Sequence, residues 1–335
     1  MALIPRPCAG DGNLNEGSNW VAPAFRRLPR PLIIIGMHRS GTSLVSGMLS
    51  LLGVYLDQNC PQRDAGGRVI LPDEKMRREG YGEAQAFRRL NERILMTAGA
   101  DWMRIEPFLK RRDERAFRKR SLLRMQTASF TSLKSGYLGC SGSGDVNAWG
   151  WKDPRNSLTL PYWLALFPNA RVLHVRRDPD ATVGSLVRRA AAESTGPSSP
   201  PPSLFARASR VITDPAYRAR TIRKRTGFGP LTVASVPDVT IDWQSLTNLY
   251  VSECERARIL GSRYMEVQYE DILREPYSCG LALAEFAQLS PSLVTLRQSA
   301  DFVIREPVQI ARPLQRDTNS KPSRSTVHQL DKVAS

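Results

Sequence analysis

The stretch "PLIIIGMHRSGTSLVSGMLSLLG", residues 31–53, decides the fold. Its short, β-branched run Leu32–Ile35 is typical of a buried strand in a parallel sheet. A loop bounded by two glycines follows. Apolar residues at helical spacing then predict a helix from about Thr42 to Leu52, with Gly53 as its stop. Strand, tight loop and helix in this order predict a site where main-chain N–H groups at a helix N-terminus hold an anion.

The loop differs from an ATP-binding loop at one decisive position. The ATP-type pattern is G-x-x-x-x-G-K-[ST], whose lysine reaches the outer phosphates. Gly36 and Gly41 keep the spacing and Ser43 falls on the last position, but Thr42 stands where the lysine should be. Arg39 places a positive charge inside the loop instead. The pattern therefore disfavours a triphosphate and favours a shorter phosphate-like group.

The rest of the chain alternates strand and helix patterns. "AWGWK" (148–152), "ARVLHVRR" (170–177) and "RYMEVQY" (263–269) are typical of strands, with helical patterns between them. This alternation predicts an α/β fold of P-loop type, with a central parallel sheet and helices on both faces. We expect a flexible arm over residues 1–29, one domain over 30–312 with an insertion at about 190–240, and a flexible tail over 313–335. Residues 56–80 are expected to be a polar loop.

The charge predicts an anionic partner. The chain of 335 residues has a formal net charge of +16, which fits nucleic acid, an acidic lipid surface or a polyanionic cosubstrate. The absence of a recognisable nucleic-acid module argues against a dedicated nucleic-acid partner, while peripheral membrane contact stays an expectation. The five cysteines are scattered and include no C-x-x-C pair, so we expect no metal centre. The cysteine pattern and the lack of a signal-peptide pattern predict a cytoplasmic protein.

A second anion-binding pattern lies in "VRRDPDATVGSLVRR", residues 175–189. Arg177 is expected to end a strand, and Ser185 and Arg189 are four residues apart, so they share one face of the following helix. That face lies at the carboxyl edge of the sheet, where open α/β folds bind ligands. A second phosphate would suit these side chains. The alternative is a surface helix capped by Asp178.

The two stretches together resemble the sulfotransferase family, which uses 3′-phosphoadenosine-5′-phosphosulfate (PAPS). In that family a [KR]-S-G-T-[ST] motif holds the 5′-phosphosulfate, and "RSGTS" (39–43) matches it. A later R-x7-S motif holds the 3′-phosphate, and Arg177 and Ser185 have this spacing. The resemblance covers residues 31–312 and implies a donor site that requires no metal, with PAP as product. The donor-binding residues it implies are Gly36, His38, Arg39, Ser40, Gly41, Thr42, Ser43, Arg177, Ser185 and Arg189.

The arginine of the loop points to a particular branch. Cytosolic small-molecule members have lysine at the position of Arg39 and use a histidine base, but none of the three histidines here, His38, His174 and His328, lies where that base belongs. Arginine resembles the tyrosylprotein and bacterial carbohydrate-type branches, which use a glutamate base. "GYGEAQAFRRLNERIL" (80–95) resembles the segment carrying that base, which makes Glu83 the candidate; the alternative is an ordinary glutamate at a helix start.

Three further segments complete the resemblance. "WKDPR" (151–155) implies that Lys152 points at the bridging oxygen of the leaving phosphate, and the alternative is a salt-bridged structural lysine. "QYEDIL" (268–273) implies that Tyr269 lines the nucleotide. A basic C-terminal donor loop is not evident, and the candidates for its contacts are Arg305 and Arg312. Catalytic roles are thus expected for Glu83, Lys152 and Arg39.

The function implied is transfer of a sulfuryl group from PAPS to an acceptor hydroxyl. Carbohydrate, lipid-linked sugar, tyrosine and small alcohol all remain open as acceptors, and the charge allows an anionic one. Two other classes stay open on the residues alone. One is a nucleotide-dependent phosphotransferase or ATPase with a degenerate loop, and the other is a non-catalytic anion-binding scaffold.

Overall fold

The structure is a computed structural model that describes residues 30–57, 60–72, 82–132, 148–195 and 241–310. The expected arm (1–29), most of the expected insertion (196–240) and the expected tail (313–335) lie outside the described residues. The domain boundaries therefore stay predictions.

A four-stranded parallel sheet forms the centre of the described structure. The strands in chain order are β1 (Leu32–Ile35), β2 (Gln62–Arg63), β3 (Val69–Ile70), β4 (Gly150–Lys152), β5 (Arg171–Arg176) and β6 (Tyr264–Gln268). The sheet has the order β4-β1-β5-β6, and every neighbouring pair is parallel. Ile33 lies opposite Trp151 on one side and Val172 on the other. This arrangement confirms the α/β fold with a parallel sheet.

Helices surround the sheet. In chain order they are α1 (Thr42–Leu52), α2 (Gln85–Thr97), α3 (Glu106–Arg111), α4 (Arg115–Ser132), α5 (Asn156–Leu166), α6 (Pro179–Thr195), α7 (Trp243–Glu255), a 3-10 helix (Arg256–Arg263), α8 (Tyr269–Arg274), α9 (Pro276–Phe286) and α10 (Leu293–Ile310). Among the described residues no helix is both long enough and apolar enough to cross a membrane.

The alternation of side chains along β1 explains why helices cover both faces. Ile33 and Ile35 belong to a core shared with α2, α5 and α7, whereas Leu32 and Ile34 belong to a second core shared with α1, α9 and α10. Successive side chains of a strand point to opposite faces, so an entirely apolar strand requires cover on both sides. The expected layer arrangement is thereby confirmed.

Local signals in the sequence set the ends of the two helices that matter for the site. Gly41 precedes α1 at a φ of 92° and Gly53 follows it at 112°, both left-handed conformations that favour glycine. The predicted cap of α6 is confirmed, because Asp178 Oδ1 accepts a hydrogen bond from the Ala181 N–H at 2.8 Å.

Three details differ from expectation. The stretch expected to be loop contains the antiparallel pair β2–β3, which Arg63 anchors to α10 through a 2.6 Å hydrogen bond to Thr295 Oγ1. The helix α10 itself was not predicted. Strand β5 ends at Arg176, so Arg177 is the first residue after the strand and not its last.

Candidate active site

The two anion-binding patterns lie side by side at the carboxyl edge of the sheet. Strands β1 and β5 are hydrogen-bonded neighbours with the same direction. The glycine loop (Gly36–Gly41) leaves β1 and enters α1, and residues 177–178 leave β5 and enter α6. Both helix N-termini therefore lie at one edge, where their unpaired N–H groups and positive dipole ends favour anions.

Direct hydrogen bonds join the two patterns. Arg39 Nε donates to Ser185 Oγ at 3.0 Å, and Arg177 Nη1 donates to the main-chain oxygen of Arg39 at 3.1 Å. Arg39 has a φ of 68°, an uncommon conformation for a residue other than glycine. The loop thus folds back so that its arginine reaches α6, and the predicted 5′ and 3′ anion sites share one crevice.

Close contacts fix the shape of the glycine loop. At its start, Ser157 Oγ accepts from the Gly36 N–H at 3.1 Å. At its end, a Cβ atom on Gly41 would lie 2.2 Å from Cδ2 of Tyr269. The ring of Tyr269 is also held by the guanidinium of Arg177, 4.7 Å from its centroid. Tyr269 therefore supports both the loop and Arg177.

Positive charge accumulates in this crevice. Burial lowers the pKa of Arg39, and the neighbouring cations Arg189, Arg177 and Arg188 lower it further. An arginine keeps its proton in proteins despite such a shift. A cluster of like charges held together by the fold is an arrangement that an anion stabilises.

Buried polar atoms at the loop fit a phosphate-bearing ligand. Ser40 Oγ, Arg177 Nε and His38 Nε2 are buried and have no hydrogen-bond partner among the described residues. Buried polar groups are normally paired, because an unpaired one costs about 1–3 kcal/mol. A ligand rich in acceptor oxygens would pair with the serine hydroxyl and the guanidinium. The residues present therefore fit the phosphates of PAPS.

Lys152, the last residue of β4, and Glu83, in the segment before α2, both face the loop. Lys152 is 2% exposed, and its Nζ donates to Glu83 Oε1 at 3.2 Å and to Ser43 Oγ at 3.3 Å. Arg155 approaches the other oxygen of Glu83 at 3.8 Å. Burial acts to raise the pKa of Glu83, but Lys152 and Arg155 outweigh it, so the pKa lies well below its usual range. Glu83 is therefore ionised at neutral pH.

A buried polar network beneath the site was not predicted. Asn91 of α2 donates to Asp153 Oδ2 and to Asn156 Oδ1, each at 2.8 Å. Its own oxygen accepts from Thr159 Oγ1 at 2.7 Å and from Trp163 Nε1 at 2.9 Å. A signal for it exists in the sequence, since Asn91 falls on the apolar face of α2.

Asp153 connects this network to the site. Its Oδ1 accepts from Arg155 Nη1 at 2.8 Å, and Arg155 Nη2 lies 3.3 Å from Glu92 Oε1. Arg155 is thereby held between three carboxylates, one of which is Glu83. Arg155 therefore contacts both Asp153, at 2.8 Å, and Glu83, at 3.8 Å.

The structure brings the predicted site residues together. Ser40 and Thr42 are buried, Thr42 opens α1, and Ser43 contacts Lys152. Arg189 lies one turn after Ser185 on α6, exposed but within electrostatic reach of Arg39 and His38. Arg312 and the side chain of Arg305 lie outside the described residues. The roles of all these residues stay predictions.

Comparison with known proteins identifies the family of the chain. The model described as "Sulfotransferase family" matches residues 31–237, more than half of the chain. No curated protein matches the chain at a significant level of sequence similarity.

Several solved structures are similar at a low level. Sulfotransferase STF9 from Mycobacterium avium is 17% identical with a TM-score of 0.40, and the match covers 87% of this chain and 72% of that one. The sulfotransferase domain of the Synechococcus PCC 7002 olefin synthase is 16% identical with a TM-score of 0.40, covering 82% and 78%. Sulfotransferase STF1 from Mycobacterium tuberculosis H37Rv is 14% identical with a TM-score of 0.39, covering 89% and 81%.

These identities and TM-scores are too low to support an inference about this chain, so the assignment rests on the family model. Its match begins at the residue before β1 and includes the glycine loop, Glu83, Lys152 and the Arg177–Arg189 pattern. The chain belongs to the sulfotransferase family, and membership implies PAPS as the sulfuryl donor.

Proposed function

We propose that this enzyme transfers the sulfuryl group of PAPS to an acceptor hydroxyl, in the manner of the tyrosylprotein and bacterial carbohydrate-type branches. The observation that supports the proposal is the 3.0 Å hydrogen bond from Arg39 to Ser185, which joins one side chain from each of the two predicted anion-binding patterns. A nucleotide with phosphate groups at both its 5′ and 3′ positions needs two such sites at a fixed separation.

The donor-holding residues divide between the two sites. The loop N–H groups, Arg39, Thr42 and Ser43 would hold the 5′ end, and Arg177, Ser185 and Arg189 would hold the 3′-phosphate. Tyr269 would line the nucleotide. When bound, PAPS supplies the activated sulfuryl group. No metal is required in this scheme, because the side chains themselves supply the positive charge that a magnesium ion provides in ATP sites.

Glu83 is the proposed general base. Its carboxylate is ionised and can accept the proton of an acceptor hydroxyl placed within hydrogen-bond reach. The ion pair with Lys152 keeps it a weak base as long as that contact lasts. A shift of Lys152 toward the leaving phosphate would weaken the pair and raise the basicity of Glu83. Lys152 would then neutralise charge that develops during the transfer.

Titration calorimetry tests the proposal against the phosphotransferase alternative. We expect PAP to bind the full chain without magnesium, and ATP with magnesium to bind far more weakly. Binding of ATP that depends on magnesium, with none of PAP, would favour the phosphotransferase. Transfer from labelled PAPS to a panel of sugars, tyrosine peptides and simple alcohols separates the enzyme from a non-catalytic scaffold and identifies the acceptor.

A further inference from the structure

The tryptophans of the described residues fall into two groups. Trp149, Trp151 and Trp163 are at most 1% exposed and form the core beneath the sheet. Trp102, which follows α2, and Trp243, which opens α7, are only partly buried. Both side chains pack against the core and yet stay partly exposed, so part of each ring remains accessible to a ligand.

The two partly buried tryptophans form a row that starts at the glycine loop. The rings of His38 and Trp102 have centroids 4.3 Å apart, and the rings of Trp102 and Trp243 are 6.2 Å apart at 29°. Tyr250 holds the main chain of Trp102 in place, since its hydroxyl donates a hydrogen bond to the main-chain oxygen of Trp102 at 3.0 Å. We call His38, Trp102 and Trp243 the aromatic wall.

The inner end of the aromatic wall lies at the reacting groups. His38 precedes Arg39 in the loop and is within electrostatic reach of Arg155, Glu83 and Lys152. Burial, aided by Arg155, lowers the pKa of His38 to about 3, so its ring is neutral at physiological pH. The aromatic wall therefore consists of three uncharged rings, of which His38 lies nearest to the proposed base.

We propose that the aromatic wall binds a ring of the acceptor, with the reacting hydroxyl directed toward Glu83 and the ring against Trp102. The inference rests on the proposed function and adds the substrate class, namely a hydroxyl-bearing ring with an apolar face. Aromatic faces carry partial negative charge, and they attract both the C–H groups of a pyranose face and the edge of a phenol ring. A linear polar alcohol would gain little from such a wall.

Polar groups beside the wall suit additional hydroxyls on that ring. Asp101 and Arg104 are paired at 3.0 Å next to Trp102, and Glu92 and Arg155 are paired at 3.3 Å near Glu83. Asp101 already accepts hydrogen bonds from the main chain of Met103 and Arg104 and from the guanidinium of Arg104, so the positions this pair can offer are donors of Arg104. Saccharide and phenol acceptors thus share the ring contact and differ in their use of these pairs.

Saturation-transfer NMR on the PAP-loaded full chain tests the inference, with methyl β-glucopyranoside and 4-methylphenol as probes. We expect ring protons of at least one probe to receive saturation. Trp102→Ala should weaken that probe's affinity about tenfold or more, in line with the loss of an aromatic stacking partner, whereas Trp102→Phe should largely retain it. Binding of the glucoside alone assigns a saccharide acceptor, and binding of the phenol alone assigns an aromatic one.

The matched control is Tyr277→Ala on α9, an aromatic side chain 37% exposed on a helix that covers the other face of the sheet. It should leave probe binding unchanged. The inference is overturned if neither probe binds the wild-type protein, if Trp102→Ala binds both probes as the wild type does, or if this variant loses PAP affinity as well. Failure of the proposed function is separate, because it would appear as absent PAP binding by the wild-type protein.

Discussion

Arg39 and Ser185 are 146 residues apart in the chain, and the arginine Nε lies 3.0 Å from the serine hydroxyl. One side chain of the predicted 5′ site is therefore hydrogen-bonded to one side chain of the predicted 3′ site. A change at either residue reaches both sites.

Replacing Arg39 by asparagine should lower PAP affinity about 10- to 100-fold, since hydrogen bonds to charged groups contribute about 1.5–3 kcal/mol. Asparagine tolerates the left-handed backbone at this position, so the change removes the guanidinium without adding strain. Calorimetry on Arg39→Asn, Ser185→Ala and the double variant should give non-additive losses. Arg274→Asn on α8 is the control. Additive losses would show that the contact is incidental.

Glu83→Gln should reduce the transfer rate about 10²- to 10⁴-fold, the usual contribution of a general base, with PAP affinity little changed. Glu285→Gln on α9 is the control, because Glu285 is exposed and lies on a helix that covers the other face of the sheet. Single-turnover transfer and PAP titration on both variants measure the effects. Full activity in Glu83→Gln would remove the assignment of this residue as base.

Lys152→Met should move the acidic limb of the pH profile of kcat/KM to higher pH. Lys152 is the strongest influence holding the pKa of Glu83 down, and burial acts in the opposite direction. Without the lysine the pKa of Glu83 rises, so protonation inactivates the base at a higher pH than in the wild type. The rate on the plateau should also fall about 10²- to 10³-fold if Lys152 stabilises the transition state. An unchanged acidic limb would show that Lys152 does not control the protonation of Glu83.

Gly41→Ala should abolish PAP binding, because its Cβ would lie 2.2 Å from Tyr269. Gly53→Ala is the matched control, since Gly53 also has a left-handed φ but nothing lies within 4 Å of the added atom. Both changes should lower the free energy of unfolding by about 1–2 kcal/mol through backbone strain, measured by urea denaturation. Only Gly41→Ala should lose ligand, and Tyr269→Ala in the same chain should relieve the clash.

The free energy of unfolding should fall as the pH drops from 6.5 toward 5. His174 is 1% exposed, and burial lowers its pKa to about 4. Between the folded and unfolded pKa values only the unfolded chain takes up this proton, so acidification favours unfolding by up to about 1.4 kcal/mol per pH unit. His174→Gln should reduce the slope in urea denaturation at pH 5 to 6.5. An unaltered slope would assign the effect to other groups.

The sequence predicted the elements whose signals are local. Strand β1, helix α1 with Gly53 at its end and the capped start of α6 all follow from neighbouring residues, and the structure confirms them. Helix α10 was missed although Ser292 marks its start, since the Ser292 hydroxyl oxygen accepts a hydrogen bond from the Thr295 N–H. The β2–β3 pair has no local signal of this kind, and Arg63 anchors it to Thr295, 232 residues away.

In the candidate site, too, the features with local sequence signals were predicted and those that depend on contacts between distant segments were not. Two spaced patterns sufficed to predict the glycine loop and the Arg177–Arg189 region, but not that Arg39 would contact Ser185. The contacts of Arg155 and the row formed by Trp102 and Trp243 depend on packing between distant segments. The acceptor, a cytoplasmic location, the lack of a nucleic-acid partner and peripheral membrane contact stay predictions.

Asn91 has a consequence for how this enzyme can vary. Its amide uses both hydrogens and both lone pairs on four partners. Asp153 follows β4, and the other three, Asn156, Thr159 and Trp163, lie on α5. No other side chain of similar size offers two donors and two acceptors in that geometry. Substitutions of Asn91 should therefore weaken the packing between α2 and α5 beneath the site and yield temperature-sensitive enzymes.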